Sequence, residues 1–426
     1  MKFALVPNDD GYGPSALGFY VARALLRGRH SIIVRNELAQ TLNASFYKNE
    51  ISRGSVALQP IFGGIRLRKA AEGVDTPGTL HDIRGYPGWS DKYTIPDDVD
   101  AVIDIGTPAA VRAAHASKKP VFTVFDHSWG KTYKKTLDDL VDSFTSTLGV
   151  SCEKELDDVR TRILQSAAIG NSPVVRAIER IKQDESKTSA VFLFDDYIAP
   201  EPFHEHWEAL RVRIVSIGGV FGGKRLVSRK EARKRMGISE STNDKTVYIL
   251  GGGTPVWDAK LPEIVWQLRE KVLKCNVVVF DRNAKPNDYQ RVGHSLYKGG
   301  AVYGETVQGL LPGVDLIITR AGGGIANDAI ACRVPFVCVQ EPGHWQVEMI
   351  RKNCEREGLT RTIPIDLFRR GDIAKLISDQ LINHETNNTQ EASNREIRER
   401  MKDIDNGMED AVAQQIVESC RSAQKL

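Results

Sequence analysis

The stretch Asp315 to Gln346, DLIITRAGGGIANDAIACRVPFVCVQEPGHWQ, constrains the fold more than any other part of the chain. Its first residues, Asp315 to Thr319, form an apolar run with strand character. Three consecutive glycines follow, Gly322, Gly323 and Gly324. Helical spacing from Ile325 to Ala331 leads into a second apolar run, Val334 to Val339, and a polar loop with Glu341, His344 and Gln346 closes the unit. Strand, glycine turn, helix, strand is an α/β unit with an anion site built in. Glycines allow close backbone approach, and the first N–H groups of the helix lack partners within it.

The same alternation recurs along the chain. Lys2 to Pro7 reads as a strand, NDDGYGPS as a loop, Ala16 to Leu26 as a helix with Ser15 at its N-cap, and Ser31 to Val34 as a strand. Asn36 to Asp98 is rich in Gly, Pro and Arg and shows no clear period. Regular alternation returns with strand Ala101 to Ile105, helix Pro108 to Ser117 and strand Pro120 to Phe125. The loop Asp126-His127-Ser128-Trp129-Gly130 leaves that strand at its carboxyl end. Helical stretches fill Lys131 to Lys182, and Ala190 to Phe194 and Val212 to Ile217 are further strands.

Glycine-rich GGVFGGKR, basic RKEARKR and polar SESTNDK then mark a boundary, and RKEARKR reads as a solvated linker helix. The pattern restarts with strand Thr246 to Leu250, a turn Gly251-Gly252-Gly253-Thr254, helix Leu261 to Val272 and strand Asn276 to Phe280. Near the end, Ile397, Met401, Ile404, Met408, Val412, Ile416 and Cys420 fall on one stripe, which predicts a single long docking helix. The expected organisation is an N-terminal Rossmann-like domain (1–217), a linker (218–245), a second Rossmann-like domain (246–386) and a C-terminal helical segment (387–426). Ligands of such sheets lie beyond the carboxyl ends of the strands, so two facing sheets predict a shared cleft.

Composition narrows the function classes. A net charge of +3 with interspersed signs lacks the concentrated basic face of a nucleic-acid binder. The cysteines are scattered without a CxxC pair, and Cys275, Cys332 and Cys338 lie in apolar runs, as suits a reducing cytoplasm. The N-terminal apolar run is shorter than a signal peptide needs, and no run reaches the ~20 residues of a membrane span. A peripheral membrane contact through a surface patch remains open on these grounds.

Several residues outline one pocket. In TRAGGGIAND, Asp328 follows Gly322 by six positions, and a carboxylate can accept two hydrogen bonds from a vicinal diol. EPGHWQ brings His344 and Gln346 after the next strand, and Tyr303 precedes the unit. These features resemble the two-Rossmann glycosyltransferase architecture GT-B, and more closely the group of UDP-glycosyltransferases and the peptidoglycan GlcNAc-transferase. The fold class expected is therefore α/β, two doubly wound domains facing a cleft.

The resemblance implies a function: transfer of a sugar from a UDP- or dTDP-sugar to a small-molecule, glycan or lipid hydroxyl, with inversion, no cofactor and no metal. It places Asp328 on the ribose, Tyr303 at the base, and Gly252, Gly253, Thr254, Arg320, Gly322, Gly323 and Gly324 around the diphosphate. Gln346, with His344 or Glu341 beside it, reads the donor sugar; Trp345 stands where the family carries an acid. In the N-terminal half, Gly11 and Gly13 approach the donor, and the loop lacks the histidine base of many relatives. Asp10 and His127 are the two candidates for the base that activates the acceptor. A nucleotide-sugar hydrolase or epimerase, or a non-catalytic nucleotide-sugar binder, would fit the same donor pocket.

Overall fold

The computed structural model describes residues 1–8, 12–37, 42–61, 65–70, 73–124, 128–147, 172–194, 201–223, 226–239, 244–251, 255–271, 275–281, 284–285, 288–293, 296–300, 305–341, 343–370, 373, 376–377, 388–402, 404 and 407–423. The strands are β1 (Lys2–Pro7), β2 (Ser31–Arg35), β3 (Val56–Gln59), β4 (Lys69–Ala70), β5 (Gly73–Val74), β6 (Ala101–Ile105), β7 (Val121–Val124), β8 (Ala190–Phe194) and β9 (Ile214–Ile217) in the first half. The second half holds β10 (Lys245–Leu250), β11 (Cys275–Phe280), β12 (Gln290–Gly293), β13 (Leu296–Gly299), β14 (Leu316–Thr319), β15 (Phe336–Val339) and β16 (Thr360–Ile363).

Two seven-stranded sheets result, in the orders β3-β2-β1-β6-β7-β8-β9 and β12-β13-β11-β10-β14-β15-β16. All pairings of the first are parallel. The second is parallel except for the edge strand β12. Parallel sheets are covered on both faces, which demands unbroken apolar strands. AVIDI of β6, AVFLF of β8 and LIIT of β14 are accordingly buried at every position. β4 and β5 form a separate small hairpin.

Three local expectations need correction. The first helix runs Tyr12–Arg27, one turn earlier than its apolar spacing suggests. Pro14 is tolerated there because the first turn has N–H groups to spare. Ser15 is thus a buried helical residue whose hydroxyl has no partner among the described residues, not an N-cap. At the other end, the predicted long helix is two, Asn388–Lys402 and Glu409–Ala423, with Gly407 at φ 75° between them. The predicted stripe is real, since Ile397, Met401, Val412, Ile416 and Cys420 are all buried. Glu409–Ala423 packs back on the first helix, and Arg27 pairs with Asp410 at 2.5 Å.

The basic run RKEARKR is a helix, Arg229–Arg235, capped by Ser228, which accepts from the Glu231 N–H. It is not merely solvated. Arg229 pairs with Asp315 at 2.8 Å, Arg233 donates to Thr246 at 2.9 Å, and Arg235 pairs with Glu305. The linker helix is thereby fixed to the second half. Among the described residues, no helix is long and apolar enough to cross a membrane.

Candidate active site

The carboxyl edges of the two sheets face each other, and three contacts show how closely. A Cβ added to Gly324 would lie 2.9 Å from the Gly13 Cα, so the start of the first helix touches the start of helix Gly323–Cys332 in the other half. Phe203, from the helix Glu201–Ala209 after β8, meets Trp345 edge-on at 5.1 Å. A Cβ on Gly343 would come within 3.5 Å of Val74 in the β5 hairpin.

On the second half, β14 runs out at Thr319, whose hydroxyl donates to the Leu250 carbonyl at 2.9 Å and ties the two strand ends together. Gly322 stands at the N-cap of helix Gly323–Cys332, and no side chain caps it. A Cβ at Gly322 would meet no described residue within 4 Å. Arg320 Nη1 lies 3.1 Å from both carboxylate oxygens of buried Glu341. The pair joins the loop after β14 to the loop after β15.

His344 is buried and serves as the N-cap of helix Trp345–Arg356, its Nδ1 accepting from the Val347 N–H at 3.5 Å. Gln346 lies in the first turn of the same helix and is also buried.

Asp328 departs most from the sequence expectation. It is 2% exposed rather than open to a ligand. Its Oδ1 accepts from Tyr20 Oη at 2.8 Å, Gln308 Nε2 at 3.0 Å and Asn327 Nδ2 at 3.3 Å. Tyr20 comes from the first helix of the opposite half, and its hydroxyl also contacts Thr306 Oγ1. Gln308 and Asn327 are held in turn by the linker: Asn327 brackets the Phe221 backbone, and Gln308 accepts from the Gly223 N–H at 2.9 Å. Gly222, at φ 84°, has no room for a side chain beside Gln308. Burial raises the Asp328 carboxyl to about 6, partly offset by the hydrogen bonds it receives from Tyr20, Gln308 and Asn327.

The first half builds a rigid platform at its carboxyl edge. Asn8 Nδ2 and Trp129 Nε1 both donate to the Gly106 carbonyl, at 2.7 and 2.8 Å. Glu185 accepts from the Trp129 and Gly130 N–H groups and from Ser128, and His206 Nε2 lies 3.1 Å from it. A carboxylate there complements the N-terminus of helix Trp129–Thr147. Asp104, near the end of β6, accepts from the Thr107 N–H and the Thr123 hydroxyl, and burial pushes it up to about 7.

Of the predicted site residues, Gly13, Arg320, Gly322, Gly323, Gly324, Asp328, His344 and Gln346 are gathered on the facing edges. Asp10, Gly11, His127, Gly252, Gly253, Thr254 and Tyr303 lie outside the described residues. Tyr20, Asp104 and Glu185 were not anticipated. Asp104 did carry a signal, an acid inside the apolar strand AVIDI. Among the described residues, no group of three or more His, Cys, Asp or Glu is placed to hold a metal ion.

Two parallel, doubly wound sheets meeting at their carboxyl edges, with a C-terminal helix returning to the first half, make this a GT-B architecture. Solved structures agree over nearly the whole chain. Spinosyn forosaminyltransferase SpnP matches with a TM-score of 0.55 at 11% identity, covering 99% of each chain. UGT89C1 of Arabidopsis thaliana, complexed with UDP-L-rhamnose, matches with a TM-score of 0.56 at 11% identity, covering 98% of each chain. The Streptomyces sp. SF2575 glycosyltransferase SsfS6, complexed with thymidine diphosphate, matches with a TM-score of 0.53 at 10% identity over 98% of this chain and 99% of that one. At such identities the likeness speaks for the fold. No protein-family model and no curated protein sequence matches the chain.

Proposed function

We propose that the chain is a glycosyltransferase that moves a sugar from a UDP- or dTDP-sugar to an acceptor hydroxyl. The observation that carries this reading is the uncapped, glycine-rich start of helix Gly323–Cys332, met across the cleft by Gly13. A helix N-terminus without a side-chain cap offers free N–H groups to a diphosphate. Those groups also stabilise the negative charge that grows on the diphosphate as the glycosidic bond breaks. The acceptor comes from the first half, where Asp10 or His127 takes its proton and the hydroxyl attacks the anomeric carbon with inversion. The reaction in this reading uses no metal. The structural neighbours complexed with UDP-L-rhamnose and thymidine diphosphate support the choice of donor class.

The test is a thermal-shift series with UDP, dTDP, GDP and ADP, followed by transfer assays with the matching sugar donors. A ligand at a hundredfold excess over its Kd adds about 2.7 kcal/mol of apparent stability. Selective stabilisation by UDP or dTDP is expected, and Asp10→Ala or His127→Ala should lower kcat by about 10²–10⁴-fold if that side chain is the base. No stabilisation by any of the four diphosphates would refute the reading. Free sugar in place of transferred sugar, with acceptors present, would move it to a hydrolase.

A further inference from the structure

Asp328 has three donors, and they do not belong to one half of the molecule. Gln308 and Asn327 are part of the second half and hold the carboxylate from its own side. Tyr20 reaches it from the first helix, 308 residues away in sequence. If the halves separate, Gln308 and Asn327 stay and Tyr20 alone leaves. Asp328 also lies five residues beyond the start of the glycine-led helix, about 7–8 Å along its axis at 1.5 Å per residue. A nucleoside diphosphate bound by that helix N-terminus would bring its ribose to this depth.

We propose that Tyr20 is a built-in competitor for the donor's ribose: its hydroxyl occupies Asp328 and must be displaced before the carboxylate can take a vicinal diol. The inference rests on the donor class proposed above. The Tyr20 ring is itself held in place, stacked on Phe221 at 6.4 Å, and its hydroxyl keeps Thr306 as a second partner. Masking therefore costs the chain no unpaired group, and displacement leaves Tyr20 bonded to Thr306 only where the halves still touch. Nucleotide entry and interdomain contact thus become competing uses of one carboxylate.

Titration calorimetry of the full chain with UDP and with 2′-deoxy-UDP tests the idea, with circular dichroism confirming that each variant folds. Tyr20→Phe removes the competing hydroxyl and should tighten UDP binding by about tenfold, the size of one hydrogen bond to a charged group. The gain should be smaller for 2′-deoxy-UDP, which lacks the diol. Asp328→Asn should weaken UDP relative to the wild type, and it tests the carboxylate without disturbing Tyr20. UDP affinity within twofold of wild type in Tyr20→Phe, equal gains for both ligands, or undiminished UDP binding in Asp328→Asn would each overturn the proposal while leaving the transferase reading intact. Absence of UDP binding with dTDP still bound would overturn the proposal alone, because dTDP offers no vicinal diol; absence of binding of both UDP and dTDP would overturn the two readings together.

Discussion

Asp328 is the residue at which burial and hydrogen bonding pull in opposite directions. Its carboxyl is raised from 3.8 to about 6, so the folded chain holds that proton more tightly than the unfolded chain does. The stability this group contributes is complete below about pH 4 and is lost as pH rises through about 6. The displacement corresponds to roughly 3 kcal/mol. Asp328→Asn retains an oxygen for the three donors and removes the charge. The variant should therefore be more stable than wild type at pH 8, and its advantage should fade by pH 4. Urea unfolding at a series of pH values measures the difference. A difference that does not vary with pH would mean that the carboxylate charge is not what burial opposes. Nothing in the sequence points to this balance. Asp328 is legible as an acid on a helix, but its partner Tyr20 occupies an apolar position of the first helix and gives no sign of a polar role.

Between elements, the contact of Gly13 with Gly324 decides whether the glycine turn tolerates a side chain. Alanine in a helix is ordinarily favoured over glycine by about 1 kcal/mol. At Gly324 the added Cβ would sit 2.9 Å from backbone, which cannot swing aside as a side chain can. Overpacking of this kind costs about 1–3 kcal/mol, so the clash outweighs the helix gain. Gly324→Ala should lower the urea midpoint and move the halves apart, seen as a larger radius of gyration in solution scattering. Gly322→Ala, with φ −70° and no described residue within 4 Å, is the matched control and should be near neutral.

The elements themselves were legible where the physics is local. Buried parallel strands must be continuous apolar runs, and β1, β6, β8, β10 and β14 announced themselves as such. The segment between Asn36 and Asp98 did not. Its described residues fold as five-residue helices at Leu42–Phe46, Lys48–Ser52 and Tyr86–Ser90, a longer one at Thr76–Ile83, the hairpin of β4 and β5, and β3, whose burial alternates only partly. Pieces that short hold too few turns for a period to emerge, and their order comes from packing: β3 on β2, Leu42–Phe46 on the first helix, and Thr76–Ile83 and Tyr86–Ser90 on the helix Pro173–Glu185.

At the scale of the whole molecule, the chain's last helix is structurally part of its first half. Glu409–Ala423 covers the helix Tyr12–Arg27, and Val412, Ile416 and Val417 are buried. Three such side chains, at roughly 1.5–3 kcal/mol each, give an upper bound of roughly 5–9 kcal/mol for the apolar part of this docking. The ion pair Arg27–Asp410 adds little, because its side chains are 43% and 49% exposed and such pairs are worth about 0–1 kcal/mol. The helix also reaches the linker, where Glu409 accepts from the Gly222 N–H at 3.0 Å, so it steadies the turn that holds Gln308 and, through it, Asp328. A chain ending at Gly407 should therefore lose stability mainly in its first half. Scanning calorimetry should show part of the unfolding moved to a lower temperature than in the full chain, the earlier transition being that of the uncovered first sheet. Arg27→Ala should leave the profile almost unchanged. A truncated chain that melts as the full chain does would mean that the first half is stable without its cover, and the coupling between the chain's two ends would then have to run through Tyr20 and the linker alone.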